Sequence, residues 1–147
     1  IFSSGSYLHV QRYEHNLTLW NSLENKEQED TYGRTKLDNI EYESEDKPLT
    51  AHTKRTNLKD DQGNTIEILR QSMPYGDMKC QGLFFVSYCH SPEPFTLMLK
   101  SMIHGDGHGN VDHLLKYTQA ETGAAFFAPS LTFLTELAPS TDNTEAR

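Results

Sequence analysis

Gly82-Leu83-Phe84-Phe85-Val86-Ser87-Tyr88-Cys89 is the stretch that decides the fold class. Its residues are those that favour a pleated backbone, and apolar side chains occupy both its odd and its even positions. A strand with no polar face belongs in the middle of a sheet. Upstream, Thr65-Ile66-Glu67-Ile68-Leu69-Arg70 alternates as a second strand behind the turn signal Asp61-Gln62-Gly63-Asn64, and Met73-Pro74-Tyr75-Gly76 is expected to break it. Further back, Ser6 to Tyr13 alternates as a first strand, with Tyr7, His9, Gln11 and Tyr13 on one side and Leu8, Val10 and Arg12 on the other. Leu19, Trp20 and Leu23 then fall at helical spacing, followed by a polar helix over 24–30 that Gly33 can stop. Downstream, Pro92 and Pro94 open a helix over Phe95 to His104. A glycine-punctuated loop and a short helix over Val111 to Tyr117 follow. Gly123 to Pro129 reads as the last strand and Leu131 to Leu137 as a closing helix. The resulting order, β-α-β-β-α-β, predicts an α+β ferredoxin-like domain with an antiparallel sheet over residues 1–137, and a flexible tail over 138–147.

Composition limits what such a domain can do. The chain has 147 residues and a net charge of −8, with no Lys/Arg cluster, which argues against nucleic acid as a partner. The longest apolar runs are too short to span a bilayer, so no membrane role is expected. Two cysteines and no Cys-x-x-Cys fit a reducing, cytoplasmic setting. Ile1-Phe2-Ser3-Ser4-Gly5 is neither an initiator Met nor a secretory signal, and a strand pattern follows at once, so a fragment or processed piece is expected. Residues 34–61 are polar and read as one long loop, a length that compact domains often reserve for function.

Among the seven histidines, His104, His108 and His113 lie near Asp106 and Asp112. Gly105, Gly107 and Gly109 make that segment a flexible loop with no standard zinc spacing, so a solvated loop is the expectation. His9, His15 and His90 read as packing or strand-end residues. His52 in the polar loop reads as a surface histidine, and Arg70 as an edge-strand salt-bridge residue. Spacing alone leaves the function open.

Longer blocks carry more. Ser4 to Tyr13, His15-Asn16-Leu17, Trp20-Asn21, Gly33-Arg34-Thr35-Lys36, Ile68 to Gly76, Gly82 to Tyr88 and Phe127-Ala128-Pro129-Ser130 occur in this order. Together they resemble the second half of a dye-decolorising peroxidase of the bacterial cytosolic kind. The Gly-x-x-Asp-Gly motif, whose aspartate moves the proton in that family, is absent, and Gly105-Asp106-Gly107 has the wrong spacing. In the family the motif precedes the matching region, so the resemblance implies a C-terminal half.

The resemblance implies haem b (iron protoporphyrin IX) as cofactor, hydrogen peroxide and a phenolic or dye-like donor as substrates, and the N-terminal half of the same enzyme as partner. A homo-oligomer is also expected. His52 matches the histidine that ligates iron, and Asp112 the acid that accepts its hydrogen bond. Arg70 matches the distal arginine, and Arg34 a contact to a haem propionate. Ser72 stands where some relatives have a distal asparagine. A carboxylate on the far ring nitrogen of an axial histidine adds imidazolate character. A guanidinium that never deprotonates stabilises charge developing on peroxide oxygen. Phe84, Phe85, Phe126 and Phe127 are expected in the core. Tyr7, Tyr75, Tyr88 and Tyr117 are candidates to relay oxidising equivalents to surface-bound dyes. The alternatives are a haem-handling protein without useful turnover and a non-catalytic dimerisation module.

Overall fold

The computed structural model describes residues 5–137; the tail expected over 138–147 lies outside them. In chain order the elements are β1 (Ser6–His15), α1 (Leu17–Asn21), α2 (Asn25–Tyr32), α3 (His52–Thr56), β2 (Leu69–Arg70), β3 (Met73–Gly76), β4 (Gln81–Cys89), α4 (Glu93–His104), a 3-10 turn (His113–Lys116), β5 (Thr118–Ala128) and α5 (Leu131–Leu137). The strands form one sheet in the order β2-β4-β1-β5, with β3 also on β4, and every pairing is antiparallel. This is the ferredoxin-like α+β arrangement, with β4 and β1 central as the two-sided apolar pattern of β4 requires. At Gly82 β4 passes so close to β1 that a Cβ there would run into the Tyr13 carbonyl.

Several local expectations are corrected. Only Leu69–Arg70 of the alternating 65–70 segment joins the sheet. Its first half is taken by Leu58 to Asp60 instead: Ile66 N–H donates to Leu58 O at 2.8 Å, and Lys59 bridges Thr65 around the turn at Gly63. Met73–Gly76 does not end the pairing but forms β3, with Pro74 opposite Leu83; proline is tolerated at a sheet edge, where its missing N–H faces no neighbour. The long polar loop contains α3, a single-turn helix too short to show a period. The last strand begins at Thr118 rather than Gly123: Thr118 to Thr122 pairs with β1 but carries no apolar run that would mark it as strand. The four strand phenylalanines are not the core: Phe84 and Phe126 are 38% and 54% exposed and Phe85 and Phe127 half-buried, while the buried apolar residues are Ala51, Cys89, Phe95, Met98 and Met102.

That core is small because the helices stand off the sheet. The odd residues of β1 and β4 face α3, α4, the 3-10 turn and the α1–α2 pair across a cavity rather than across packed side chains. Gly33 sets part of this spacing. It ends α2 with a φ of 79° and lies so close to α3 that a Cβ would strike the Thr53 hydroxyl and crowd Ala51. A left-handed glycine cap stops α2 at the position where α3 begins.

Candidate functional site

The cavity measures about 380 Å³, within the range of small-molecule sites. Its sheet wall carries His9, Gln11 and Tyr13 from β1, Phe85 from β4, and Arg70 with Ser72 from the β2–β3 edge. Its helix wall is mostly apolar, with Phe95, Met98, Leu99 and Met102 from α4 and Leu114 and Leu115 from the 3-10 turn.

His52 stands on the helix wall as the first residue of α3. Ala51, fully buried, anchors that start, and the N–H groups of Lys54 and Arg55 donate to its carbonyl. Asp112 arrives from the opposite direction. Its own N–H donates to Met102 O at 2.9 Å, and the next N–H, of His113, donates to Thr50 O at 3.0 Å. These two bonds clamp the segment between the end of α4 and the start of α3. Asp112 is 1% exposed. Its Oδ2 accepts from His52 Nδ1 at 2.7 Å, and its Oδ1 accepts from Leu114 N–H at 2.9 Å, capping the 3-10 turn. Both carboxylate oxygens are thus used, which fixes the imidazole with its proton on Nδ1 and leaves Nε2 without a partner among the described residues.

On the sheet wall, Ile68, Arg70 and Ser72 line the cavity at alternate positions, whereas Ile66 does not. Arg70 pairs in register with Ser87, which pairs in turn with His9, so these three residues share one face of the sheet. The salt bridge expected of an edge-strand arginine is not formed: among the described residues Arg70 has no ion pair or side-chain hydrogen bond, and its side chain is exposed at the cavity mouth. Tyr13 donates its hydroxyl proton to Gln11 Oε1 at 2.8 Å. Burial first, and then the negative charge of Asp112, push the Tyr13 phenol up from its ordinary value, against the smaller effect of Gln11. Burial pushes His9 down, favouring a neutral ring on the cavity wall.

Arg34 is not brought to this site. Its Nε and one terminal nitrogen donate to Asn39, and the other terminal nitrogen donates to Glu41 at 2.9 Å, outside the cavity. The His104–Asn110 loop is organised by Asp106, which accepts from His108 N–H and from both the backbone and side chain of Asn110. Those hydrogen bonds hold the Asp106 carboxyl near 2. Among the described residues no three His, Cys, Asp or Glu side chains gather to hold a metal ion, and no helix is long and apolar enough to cross a membrane. The sequence reading missed Trp20, Tyr32 and the α4 methionines as cavity residues. The helical spacing of Trp20 was visible, but its direction depends on how α1 and α2 dock.

The ferredoxin-like domain thus opens a cavity between sheet and helices, with a histidine held by a buried carboxylate on its wall. The chain belongs to the Dyp-type peroxidase family: the model of that family's C-terminal region matches residues 1–133. It is 39% identical over 140 residues to the dye-decolorizing peroxidase of Mycolicibacterium paratuberculosis, matching 94% of this chain and 40% of that protein. Among solved structures it is similar to a putative dyp-type peroxidase from Shewanella oneidensis, at 64% identity and a TM-score of 0.87, covering 90% of this chain and 43% of that one. It is likewise similar to a variant of Rhodococcus jostii DypB in complex with heme, at 38% identity and a TM-score of 0.88, covering 92% and 45%. The chain therefore spans less than half the length of these relatives.

Proposed function

We propose that the chain is the haem-binding half of a peroxidase that reduces hydrogen peroxide and oxidises phenolic or dye-like donors. The observation that carries this reading is the His52–Asp112 pair. A 2.7 Å hydrogen bond to a buried carboxylate leaves the imidazole Nε2 free on the wall of an apolar cavity. The residues present fit a haem. His52 would hold the iron through Nε2, the α4 side chains would cover the apolar macrocycle, and Arg70 would stand on the other wall.

When bound, haem b would supply the redox-active iron at which peroxide is reduced. The chain's own residues supply the rest. Asp112 takes the Nδ1 proton's hydrogen bond, holds the ring in one tautomer and raises the basicity of Nε2. Arg70 offers a fixed positive charge, paired with no anion among the described residues, to oxygen that becomes negative as peroxide loses its proton. That proton is assigned to the aspartate of the N-terminal half, which this reading makes the domain's partner. Arg34 would reach a propionate only after releasing Asn39 and Glu41, so the reading gives it the loop rather than the cofactor.

The complete haem-loaded enzyme should oxidise a phenolic dye only when hydrogen peroxide is present. A holoprotein with a full Soret band and no peroxide-dependent turnover would replace this reading with haem binding without catalysis.

A further inference from the structure

Of the chain's four methionines, two stand outside the cavity and two stand on its wall. Met78, in the turn between β3 and β4, is 100% exposed, and Met73 on β3 is 62% exposed. Met98 and Met102 lie one turn apart on α4 and are 5% and 9% exposed. With Phe95 they make the buried stripe of that helix, and all three line the cavity. Packing explains why these positions are apolar. It does not explain why they carry sulfur, since Leu99 on the same helix lines the same cavity without it.

Met102 also supports the His52–Asp112 pair, because its carbonyl accepts the Asp112 N–H at 2.9 Å. The two thioethers are the groups of this helix face that oxidation converts from apolar to polar. The rest of the wall around them is Phe95, Leu99, Leu114 and Leu115. A sulfoxide oxygen there replaces van der Waals contact with a strong acceptor, which the apolar face of a macrocycle cannot pair. Oxidation at these two positions would therefore change what the cavity can hold, whereas oxidation at Met73 or Met78 would change only the surface.

We propose that Met98 and Met102 are modification sites: when peroxide arrives without an organic donor, their thioethers are oxidised to sulfoxides from inside the cavity, and the polarised wall loosens its hold on the cofactor. The proposal rests on the peroxidase reading above. Both thioethers stand on the wall that carries His52, away from Arg70, so peroxide oxygen is not passed to them directly. Each sulfur instead gives two electrons, one at a time, to the cofactor that peroxide has oxidised. A water oxygen bonds to the sulfur, and the two protons of that water leave. Those two electrons and two protons convert one hydrogen peroxide to two waters, so thioether and hydrogen peroxide become sulfoxide and water. Methionine sulfoxide reductases return sulfoxides to thioethers, which makes the modification reversible.

The test treats the complete haem-loaded enzyme and its haem-free form with hydrogen peroxide, without donor, in water enriched in the heavy oxygen isotope, and maps sulfoxides by peptide mass spectrometry. In the haem-loaded enzyme Met98 and Met102 should gain heavy oxygen about tenfold or more faster than in the haem-free form, one decade in rate. Met78, attacked directly by bulk peroxide, should gain ordinary oxygen at the same rate in both. A phenolic donor should suppress the heavy sulfoxides. The treated protein, stripped of haem, should bind haemin about tenfold or more weakly, the scale of one buried polar group without a partner, until methionine sulfoxide reductase restores it. Met98→Leu combined with Met102→Leu should remove both the added mass and the peroxide-dependent loss of affinity. A normal Soret response to peroxide with Met98 and Met102 left as thioethers, or carrying only ordinary oxygen, overturns the proposal alone. Heavy sulfoxides at both positions with undiminished haemin affinity overturn the loosening. A holoenzyme whose Soret band ignores peroxide overturns the peroxidase reading and the proposal with it.

Discussion

Replacing Asp112 by Asn probes the pair on which the site depends, and the structure sets the size of the effect. Both oxygens of Asp112 are acceptors, one from His52 Nδ1 at 2.7 Å and one from Leu114 N–H at 2.9 Å. Asparagine has the same shape but only one acceptor. With its oxygen toward His52, its NH2 meets the Leu114 N–H, and a buried donor is left unpaired. With its NH2 toward His52, the imidazole must accept at Nδ1, which moves its proton to Nε2 and removes the free lone pair. The first arrangement costs about 1–3 kcal/mol for one unsatisfied buried group; the second leaves none unsatisfied but must revert to the first, at that same cost, before Nε2 can bind iron. If the second dominates, haem affinity should fall by about 5- to 140-fold, the same range converted at 1.4 kcal/mol per decade. If the first dominates, affinity survives but the anionic partner is lost. Loss of a charged hydrogen bond worth about 1.5–3 kcal/mol should then raise the ferric/ferrous potential by on the order of 60–130 mV. Haemin titration and spectroelectrochemistry of the complete enzyme read the two outcomes. Wild-type affinity together with a wild-type potential would refute the reasoning.

In the complete enzyme, Arg70→Leu should slow the reaction with hydrogen peroxide by about 10² or more, the scale of losing one preorganised charge, while haem affinity stays at the wild-type level; stopped-flow mixing measures the first and haemin titration the second. Gly82→Ala should destabilise the domain by about 1–3 kcal/mol or more, since its Cβ meets Tyr13 backbone that cannot move without parting β1 from β4, and urea midpoints would show it. Burial lowers His9, His15 and His113 below the ordinary value of 6.5. The unfolded chain therefore binds more protons than the folded one as pH falls through 6.5, and stability should decline from there downward. His9→Gln should flatten that slope in urea midpoints taken from neutral to acid pH, and an unchanged slope would place the loss elsewhere.

The central strands were legible because β1 and β4 announce themselves locally: two-sided apolar character in 82–89 and clean alternation in 6–13. Helix α2 was legible for a similar reason, since Gly33 is the left-handed stop its C-terminus needs. What the sequence concealed was set by tertiary partners. Ile66 looks like a sheet residue until its N–H is seen to donate to Leu58. The polar first half of β5 has no apolar period to read. His52 looked like a surface histidine because α3 is one turn long, and Asp112 lies sixty residues away along the chain. Family resemblance, not spacing, pointed to that pair, and the fold brings the two within a hydrogen bond. The edge-to-face contacts of Trp20 with Tyr32 and Tyr117 were invisible for the same reason: they join three elements through ring contacts.

The most direct measurement is a haemin titration of the complete enzyme and of its His52→Ala variant, followed at the Soret band and by EPR of the ferric state, with imidazole added back. If His52 is the iron ligand, the wild type should saturate with a histidine-ligated spectrum, and the variant should lose both the spectrum and most of its affinity until imidazole restores them. A His52→Ala protein that binds haem with unchanged affinity and an unchanged EPR spectrum would contradict the account.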